Sequence, residues 1–426
     1  MTLMNKNDPF EPYQGNLLIE HLGPIPSVLQ GAKILTHLPN IPKNIAEIPY
    51  EIRLHHLLRL KDLHIASGEG IKLLDTVDLM IRKSYSYRSP SESQTWGIVT
   101  GNTVISHRAP SPPAIAAAVV GHAGVGKTEA IQRALSYYPQ VIQHQKFPRI
   151  IGPHHQVVWI SAEVPANGKL DQLAVNLMTA WDEAVKNAIP EYQDRFAEAL
   201  ASSKRDGMRM FEEWRQVALS HFLGIFHLDE IQNFFRLPTL EDRRKRKNNQ
   251  NLDLSIVEDK CLKAILTFIN TYQMAFLCSG TPDGMNALSK RFSTLQRLTS
   301  FGYHHLRRFE SINDVEFRDT FLPQLVRYQL VEKKLPLSIE LAELLLELTG
   351  GVKRLLIVIW IAAHRVAFRR GKDDLLLDDF RVAARTYLQP VSDAVNAINS
   401  GRPDLMAKYD DMMNAAESFL EDFSTI

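Results

Sequence analysis

Gly121-His122-Ala123-Gly124-Val125-Gly126-Lys127-Thr128 carries the strongest signal in the chain. The stretch reads Gly-x-x-x-x-Gly-Lys-Thr, the pattern of a loop that wraps phosphate groups. An apolar run over 114–120 precedes it and predicts a buried strand, and a helical pattern follows it. The alternative is a glycine-rich turn with an accidental Lys-Thr. Because the flanking strand and helix are the setting that the motif requires, they favour a phosphate-binding loop, which we call the phosphate loop.

The chemistry of the phosphate loop follows from its residue types. Glycines let successive backbone N–H groups approach phosphate oxygens, and the N-terminus of the following helix adds partial positive charge. We expect Lys127 to reach the β- and γ-phosphates of ATP and the Thr128 hydroxyl to ligate Mg²⁺. The other nucleotide-binding positions expected in the loop are Gly121, His122, Gly124, Val125 and Gly126.

The length and composition limit the classes of protein that are possible, but the net charge does not indicate a binding partner. The 426 residues suffice for two or three domains, and 49 Lys and Arg against 48 Asp and Glu leave a net charge of +1. The two cysteines, Cys261 and Cys278, form neither a disulfide framework nor a metal-binding spacing. No apolar run approaches the roughly 18 residues of a membrane span, and residues 1–16 do not resemble a signal peptide. We therefore expect a cytoplasmic protein with no membrane partner.

Strand and helix patterns alternate through the middle of the chain. Strands are predicted at 114–121, 156–161, 224–228 and 274–279, with helices at 127–136, 169–187, 192–202, 209–220 and 259–270. Buried strands that alternate with amphipathic helices predict an α/β fold, with a mostly parallel sheet flanked by helices. From about residue 313 only helices are predicted, at 314–325, 339–348, 353–368 and 377–388.

This pattern predicts four segments. Residues 1–110 form an N-terminal extension, with helical patterns at 51–63 and 71–81 and a Ser-, Pro- and Gly-rich stretch at 89–113 that is typical of a loop. The α/β nucleotide-binding core covers 111–311, an all-helical lid covers 312–388, and a tail covers 389–426.

Two strand ends supply the remaining groups of a nucleotide site. The strand at 224–228 runs into Asp229 and Glu230. Asp229 is placed to position Mg²⁺, and Glu230 to orient and deprotonate the attacking water. The next strand ends in Ser279 and Thr281, and either hydroxyl could sense the γ-phosphate. Acidic or hydroxyl residues are also common where strands pass into turns, so a purely structural role is the alternative for each.

The order of these elements resembles AAA+ ATPases, and more narrowly the TnsC family of ATP-dependent target regulators of DNA transposons, which is related to TniB. The resemblance spans most of the chain. Asp-Glu-Ile-Gln at 229–232 and Gly-Thr-Pro at 280–282 are shared among related ATPases. Other pieces of the resemblance are Asp8-Pro9-Phe10, Met80-Ile81-Arg82, Tyr87-Arg88-Ser89-Pro90 and Leu388-Gln389-Pro390-Val391. Two pieces are narrower and favour TnsC over replication-loader relatives: Tyr138-Pro139-Gln140-Val141-Ile142 and, in the tail, Ser400-Gly401-Arg402-Pro403.

The resemblance implies a P-loop AAA+ core and a mechanism. ATP and Mg²⁺ would bind between neighbouring copies, which would assemble as a ring or helical filament on target duplex DNA. The assembly would link a TnsD/TniQ-type target selector to transposase subunits in a bacterial cytoplasm, on the nucleoid. By analogy, the N-terminal extension would receive the selector and the tail would contact the transposase.

Several basic residues are assigned roles by the same resemblance. An arginine that reaches the γ-phosphate of a neighbour would be Arg297 or Arg291, each of which could equally be an ordinary surface residue. Arg354, after Gly350-Gly351, resembles a lid arginine that contacts ATP, although a helix-opening turn with surface basics is the alternative. Arg82 and Tyr87 are candidates to line the adenine, and packing of a linker onto the core is the alternative.

DNA contacts are assigned to two loops. One contains the basic run Arg243, Arg244, Lys245, Arg246 and Lys247, and the other contains Lys169. Phosphate contacts by such residues give salt-sensitive binding without sequence preference. Two other functions share the same core: a replication initiator or helicase loader, and a nucleotide-switch signalling ATPase. Only about 40 residues follow the lid, which disfavours an initiator with a winged-helix domain, and the basic run favours a DNA-binding protein over a signalling ATPase.

Overall fold

The computed structural model describes residues 13–100, 114–202, 206–235, 263–267, 269, 274–289 and 296–402. The chain divides into two compact units, each assembled from separate segments. The first is drawn from Met1–Gly31, Ile71–Val120 and Ile131–His305, and the second from Ala32–Gly70, Gly121–Ala130 and Leu306–Ile426. Each unit therefore includes part of the N-terminal extension, and the phosphate loop groups with the second unit.

The first unit contains a parallel sheet of five strands among its described residues. Its order is β4-β5-β6-β1-β7, and each neighbouring pair is parallel. A separate antiparallel pair joins β2 and β3. The strands are β1 (Ala116–Val120), β2 (Val141–His144), β3 (His154–Val157), β4 (Trp159–Glu163), β5 (Ile225–Asp229), β6 (Ala275–Gly280) and β7 (Gly302–His305).

The two faces of the sheet differ in chemistry. Successive side chains of a strand point to opposite faces. Phe226 and Leu228 of β5 face a large apolar core that also holds Phe276 and Cys278 of β6. His227 and Asp229 alternate with them and are buried on the other face. Polar groups therefore sit on the central strands at positions where an ordinary parallel sheet carries apolar residues.

Helices surround the sheet and make up most of the second unit. They are α1 (Leu17–Glu20), α2 (Val28–Leu35), α3 (Tyr50–Leu58), α4 (Gly68–Ser86), α5 (Ser93–Val99), α6 (Lys127–Leu135), α7 (Leu170–Ala188), α8 (Ala197–Ala201), α9 (Gly207–Ser220), α10 (Pro282–Ser289), α11 (Leu322–Val326), α12 (Ile339–Thr349), α13 (Lys353–Arg369), α14 (Leu377–Tyr387) and α15 (Ser392–Asn399). In the second unit, residues from α3 and from α11 to α15 form one apolar core around Trp360. None of the described helices is long and apolar enough to cross a membrane.

Most of the predicted strands and helices that lie among the described residues are confirmed, with four differences. The strand predicted at 156–161 is two strands, β3 and β4, which belong to different sheets. The segment 89–113, predicted as a loop, contains α5, and the helix predicted at 192–202 is reduced to α8. The helix predicted at 314–325 begins with a π-helical turn at Glu316–Phe321.

Candidate nucleotide-binding site

The phosphate loop leaves the end of β1 and is shaped by its glycines. Gly124 and Gly126 have φ values of +77° and +93°, a region that side chains other than glycine seldom adopt. Lys127 is buried at the start of α6, and its Nζ donates hydrogen bonds to the carbonyl oxygens of Gly121 (2.8 Å) and His122 (3.2 Å). Thr128 is exposed beside it. The ammonium group is thus held within the loop that it is expected to serve.

Other residues of the second unit fix the position of the phosphate loop. The backbone N–H of Arg354, in the first turn of α13, donates to the carbonyl oxygen of Gly124 (3.1 Å). A Cβ atom at Gly124 would lie 2.9 Å from Val352 Cγ1 and 3.3 Å from Arg354 Cβ. A Cβ atom at Gly121 would lie 2.5 Å from the carbonyl oxygen of Leu306. Glycine is therefore required at both positions for packing, and Arg354 is brought next to the loop, as its predicted ATP contact requires.

The turn before α13 requires glycine for the same reason. Gly351 has a φ of +71°, and its carbonyl oxygen accepts a hydrogen bond from the Phe309 N–H (2.9 Å). A Cβ atom there would lie 1.8 Å from the Phe309 carbonyl oxygen. The Gly350-Gly351 pair is therefore a structural turn that sets where α13, and with it Arg354, begins.

In the first unit, polar residues follow the carboxyl ends of β5 and β6. We call this group, Asp229, Glu230, Gln232, Ser279 and Thr281, the carboxylate edge. The Asp229 Oδ1 atom accepts hydrogen bonds from the Ser279 hydroxyl (2.5 Å) and from the Glu230 N–H (2.9 Å). Glu230 has a φ of +58°, in the left-handed region. Such a conformation costs about 1–3 kcal/mol for a residue with a side chain and is common at functional sites.

Gln232 joins the two strand ends of the carboxylate edge. Its side-chain amide donates to the Glu230 carboxylate, and its Oε1 accepts from the Thr281 N–H (3.1 Å). Gln232 and Thr281 are both buried. Sequence reasoning did not single out Gln232 as a site residue. Its place two residues after Glu230, in a motif shared with related ATPases, was the available signal.

A buried histidine lies behind Asp229. His227 is fully buried between Ser161 and Ser279, with its Nδ1 2.9 Å from the Ser161 hydroxyl and its Nε2 2.8 Å from the Ser279 hydroxyl. Burial lowers the pKa of His227 to about 4, although the nearby Asp229 carboxylate opposes that shift. The ring is therefore neutral at neutral pH, with one nitrogen that donates and one that accepts.

The oxygen ligands expected for Mg²⁺ have the right chemistry. Mg²⁺ is bound in proteins by one or two carboxylates together with phosphate oxygens and water. Asp229 has a carboxylate at the end of a sheet strand, and its Oδ1 is oriented by two donors. Thr128, an exposed residue at the start of α6, carries a hydroxyl. These residue types fit the ion.

Arg82 makes internal contacts in α4. It is 1% exposed, its Nε lies 2.9 Å from Asp78 Oδ1, and it donates to the Gly23 carbonyl oxygen (2.8 Å). Tyr87 is half-buried, and the Lys83 ammonium lies 4.8 Å from the centre of its ring. For Arg82 these contacts favour the alternative of linker packing. Contact with adenine stays an untested prediction for both residues.

The remaining predicted residues divide into those that the structure describes and those that it does not. Arg297 is exposed in a short helical turn after the sheet strand β6. Lys169 is exposed at the N-cap of α7, in the loop that follows β4. Arg291 and the basic run Arg243–Lys247 lie outside the described residues. The trans-acting arginine and the DNA contacts therefore stay predictions.

Comparison with known proteins agrees with this geometry. Residues 114–287 match the family model of an AAA domain. The comparison with curated proteins found no match.

Similar solved structures include two proteins of Aeropyrum pernix. The ORC2 protein in its ADPNP-ADP complexes is 14% identical, with a TM-score of 0.38, over 74% of this chain and 79% of that one. The ORC1 protein in complex with DNA is 16% identical, with a TM-score of 0.40, over 75% of this chain and 78% of that one. TM-scores this low carry no argument about ligands or partners. The family match and the parallel sheet with its phosphate loop show that this chain contains an AAA domain with the AAA+ P-loop fold.

Proposed function

We propose that this protein is a Mg²⁺-dependent ATPase whose nucleotide state controls its assembly on duplex DNA, as a transposition regulator of the TnsC type. One observation carries the ATPase part of the proposal. The strand that runs into the phosphate loop, β1, is in the same parallel sheet as β5, which ends in Asp229 and Glu230, and β6 lies between them. In parallel sheets of this kind ligands bind beyond the carboxyl ends of the strands.

Each residue then has a chemical role. Backbone N–H groups of the phosphate loop and the Lys127 ammonium bind the phosphates, and the N-terminus of α6 adds favourable charge. Thr128 and Asp229 would hold Mg²⁺, which when bound neutralises charge on the β- and γ-phosphates. Glu230 orients the attacking water and accepts its proton. Thr281 would sense the γ-phosphate, and Arg354 would contact ATP from the helix that already bonds to Gly124.

The assembly part of the proposal rests on the resemblance of the sequence motifs to TnsC. An arginine of a neighbouring copy, Arg297 or Arg291, would complete the site, so that hydrolysis requires assembly. Lys169 and the basic run Arg243–Lys247 would contact DNA phosphates. The N-terminal extension and the tail would contact a TnsD/TniQ-type selector and transposase subunits.

Imaging of purified protein tests this proposal. Negative-stain micrographs would be recorded with a non-hydrolysable ATP analogue, with and without duplex DNA. We expect rings or filaments only when both are present, and we expect alanine at Arg243–Lys247 to abolish them while alanine at the exposed Lys61 leaves them intact. Protein that stays monomeric under every condition would contradict the assembly proposal. Assembly with nucleotide alone would favour the nucleotide-switch ATPase, and nucleotide-dependent loading of a hexameric helicase would favour the replication loader.

A further inference from the structure

A continuous line of hydrogen bonds, partly buried at Ser161 and fully buried from His227 onward, connects Gln132 of helix α6 to Asp229. We call it the histidine network: Gln132, Ser161, His227, Ser279 and Asp229. The Gln132 amide donates to the Ser161 hydroxyl (2.8 Å), which lies 2.9 Å from His227 Nδ1. The His227 Nε2 atom lies 2.8 Å from the Ser279 hydroxyl, which bonds to Asp229 Oδ1 at 2.5 Å. The network crosses β4, β5 and β6 and ends at the proposed metal ligand.

The residues at the two ends of the network, Gln132 and Asp229, fix which atom donates and which accepts in each of its hydrogen bonds. An ionised carboxylate only accepts hydrogen bonds, so the Ser279 hydroxyl must donate to Asp229. The Ser279 oxygen then accepts from the neutral ring, which puts the His227 proton on Nε2. The unprotonated Nδ1 accepts from the Ser161 hydroxyl, whose oxygen accepts from the Gln132 amide. This assignment satisfies all four bonds with one tautomer.

Stability alone does not explain a histidine at this position. Its neighbours Phe226 and Leu228 are buried in the apolar core, as a central parallel strand normally requires. Replacement of a complete set of buried hydrogen-bonding partners by apolar groups of the same shape is often nearly neutral for stability. Apolar residues at these positions would pack with little loss of stability. The histidine network therefore contributes the orientation of a side chain, which apolar residues could not provide. What it orients is the hydroxyl that faces Asp229.

We propose that His227 is a positioning residue for the metal site. Its Nε2–H holds the Ser279 hydroxyl so that the hydroxyl proton points at Asp229 Oδ1, and this bond fixes the rotamer of the carboxylate that receives Mg²⁺. Through Ser161, the same network also connects the carboxylate to Gln132, in the part of α6 that belongs to the first unit. This inference rests on the proposed ATPase function. Without the Nε2–H donor, the Ser279 hydroxyl is able to turn away and the carboxylate loses its fixed orientation.

Substitutions at His227 can separate orientation from packing. Glutamine places an amide N–H near the position of Nε2 and so preserves the donor to Ser279. Asparagine places its amide near Nδ1 and is too short to reach Ser279. Phenylalanine preserves the ring and removes both bonds. His364→Phe is the matched control, because His364 is also fully buried and hydrogen-bonded but lies in the helical core of the second unit.

The experiment measures binding of nucleotide and metal separately on the full-length protein. A fluorescent ADP analogue is titrated without divalent metal, and Mn²⁺ binding to the ADP complex is then followed by electron paramagnetic resonance. We expect metal-free ADP affinity to be unchanged in all variants. We expect Mn²⁺ affinity to fall about tenfold in His227→Phe, His227→Asn and Ser279→Ala, the effect of about one net hydrogen bond. His227→Gln and His364→Phe should stay within about threefold of wild type.

The outcomes distinguish this inference from the proposed function. If His227→Phe binds Mn²⁺ as wild type does while Ser279→Ala does not, the histidine does not position the hydroxyl and the inference is wrong. If His227→Phe fails to fold, the His227→Gln and His227→Asn variants still test the inference. Equal Mn²⁺ affinities in these two variants would show that His227 does not position the Ser279 hydroxyl. If wild-type protein binds no ADP with or without metal, the proposed nucleotide function itself fails.

Discussion

The phosphate loop and the carboxylate edge would bind the same proposed ligand, but the loop contributes backbone groups and the edge contributes side chains. The loop acts through its backbone, and glycines with positive φ give it its shape. Its residues are consecutive, so the motif can be read directly from the sequence. The carboxylate edge acts through side chains that come from separate strands, and its orientation depends on Gln232, Ser279 and His227. Contiguous backbone sites are therefore visible in a single sequence, whereas sites made by side chains across strands are only partly visible.

This difference predicts that a substitution in the phosphate loop lowers nucleotide affinity, whereas one at the carboxylate edge lowers the rate of hydrolysis. Lys127→Ala should weaken nucleotide binding by about 100-fold or more, because it removes the charged donor to the β- and γ-phosphates. Glu230→Gln should leave nucleotide affinity within about threefold of wild type and slow hydrolysis by about 10²–10⁴-fold, because only the base is lost. Fluorescent-nucleotide titration and phosphate-release assays measure the two quantities, and Glu230→Gln should hold ATP-bound oligomers on DNA.

Each variant is the control for the other. Both change one polar side chain, yet one lies in the phosphate loop and one at the carboxylate edge. Normal affinity in Lys127→Ala would show that the loop does not bind the phosphates. Normal hydrolysis in Glu230→Gln would show that another group activates the water.

Within the phosphate loop, two glycines should separate folding from binding. An alanine at Gly124 would meet Val352 Cγ1 at 2.9 Å in addition to its positive φ, so we expect a loss of about 2–4 kcal/mol in unfolding free energy. An alanine at Gly126 has no atom within 4 Å, so we expect only about 1–2 kcal/mol from its φ of +93°. Its methyl group would nevertheless stand in the loop that the phosphates approach, so nucleotide affinity should fall clearly.

Denaturant unfolding and nucleotide titration on both variants check this prediction. A Gly126→Ala protein that binds nucleotide as tightly as wild type would contradict the assignment of this loop surface to phosphate. Equal stability of the two variants would contradict the packing of Val352 against Gly124.

Long periodic elements and the backbone motif were predictable from the sequence. The helix predicted at 127–136 is Lys127–Leu135, and the helix predicted at 169–187 is Leu170–Ala188. Both are amphipathic over several turns, so local sequence and tertiary packing agree on them. Asp229 and Glu230 stood out in the sequence because two acids follow an apolar run, and the strand predicted before them is β5.

The short strands β1, β5 and β6 were predicted from their apolar runs, but other short strands and the cross-strand partners were not predictable. β2 and β3 are four residues each, and their paired residues lie 10 to 16 positions apart, across a segment that includes Pro and Gly. β7 reads His-His at its end and gains its strand conformation from pairing with β1. His227 appeared as one letter in an apolar run, and its role depends on Ser161 and Ser279, which lie 66 and 52 positions away. Such partners become neighbours only after the sheet has formed.

The carboxylate edge lies in the unit with the larger set of buried histidines, so acid should disturb that unit first. In the first unit, His155 and His154 stack on His221 with ring centres 4.0 Å and 5.0 Å away. Burial, followed by the charge of His221, lowers the pKa of His154 to about 4 and of His155 to about 3. The pKa values of His144, His221 and His227 are also lowered, mainly by burial, and in the second unit burial lowers the pKa of His364 to about 4.

The sign of the pH effect follows from proton binding. Histidine in the unfolded chain titrates near pH 6.5, so between about pH 6.5 and pH 4 the unfolded state binds more protons than the folded state. The free energy of unfolding therefore decreases as the pH is lowered through this range, by up to about 1.4 kcal/mol per pH unit for each such histidine. Hydrogen exchange at pH 7 and pH 5 should show that β3 and α9 lose protection before α12 and α13 do. His155→Phe should reduce the loss in β3 and α9, whereas the same change at the exposed His37 should not. Equal loss in both units would mean that the histidines of the first unit do not set its acid sensitivity, and that its stability rests on the apolar core beneath them.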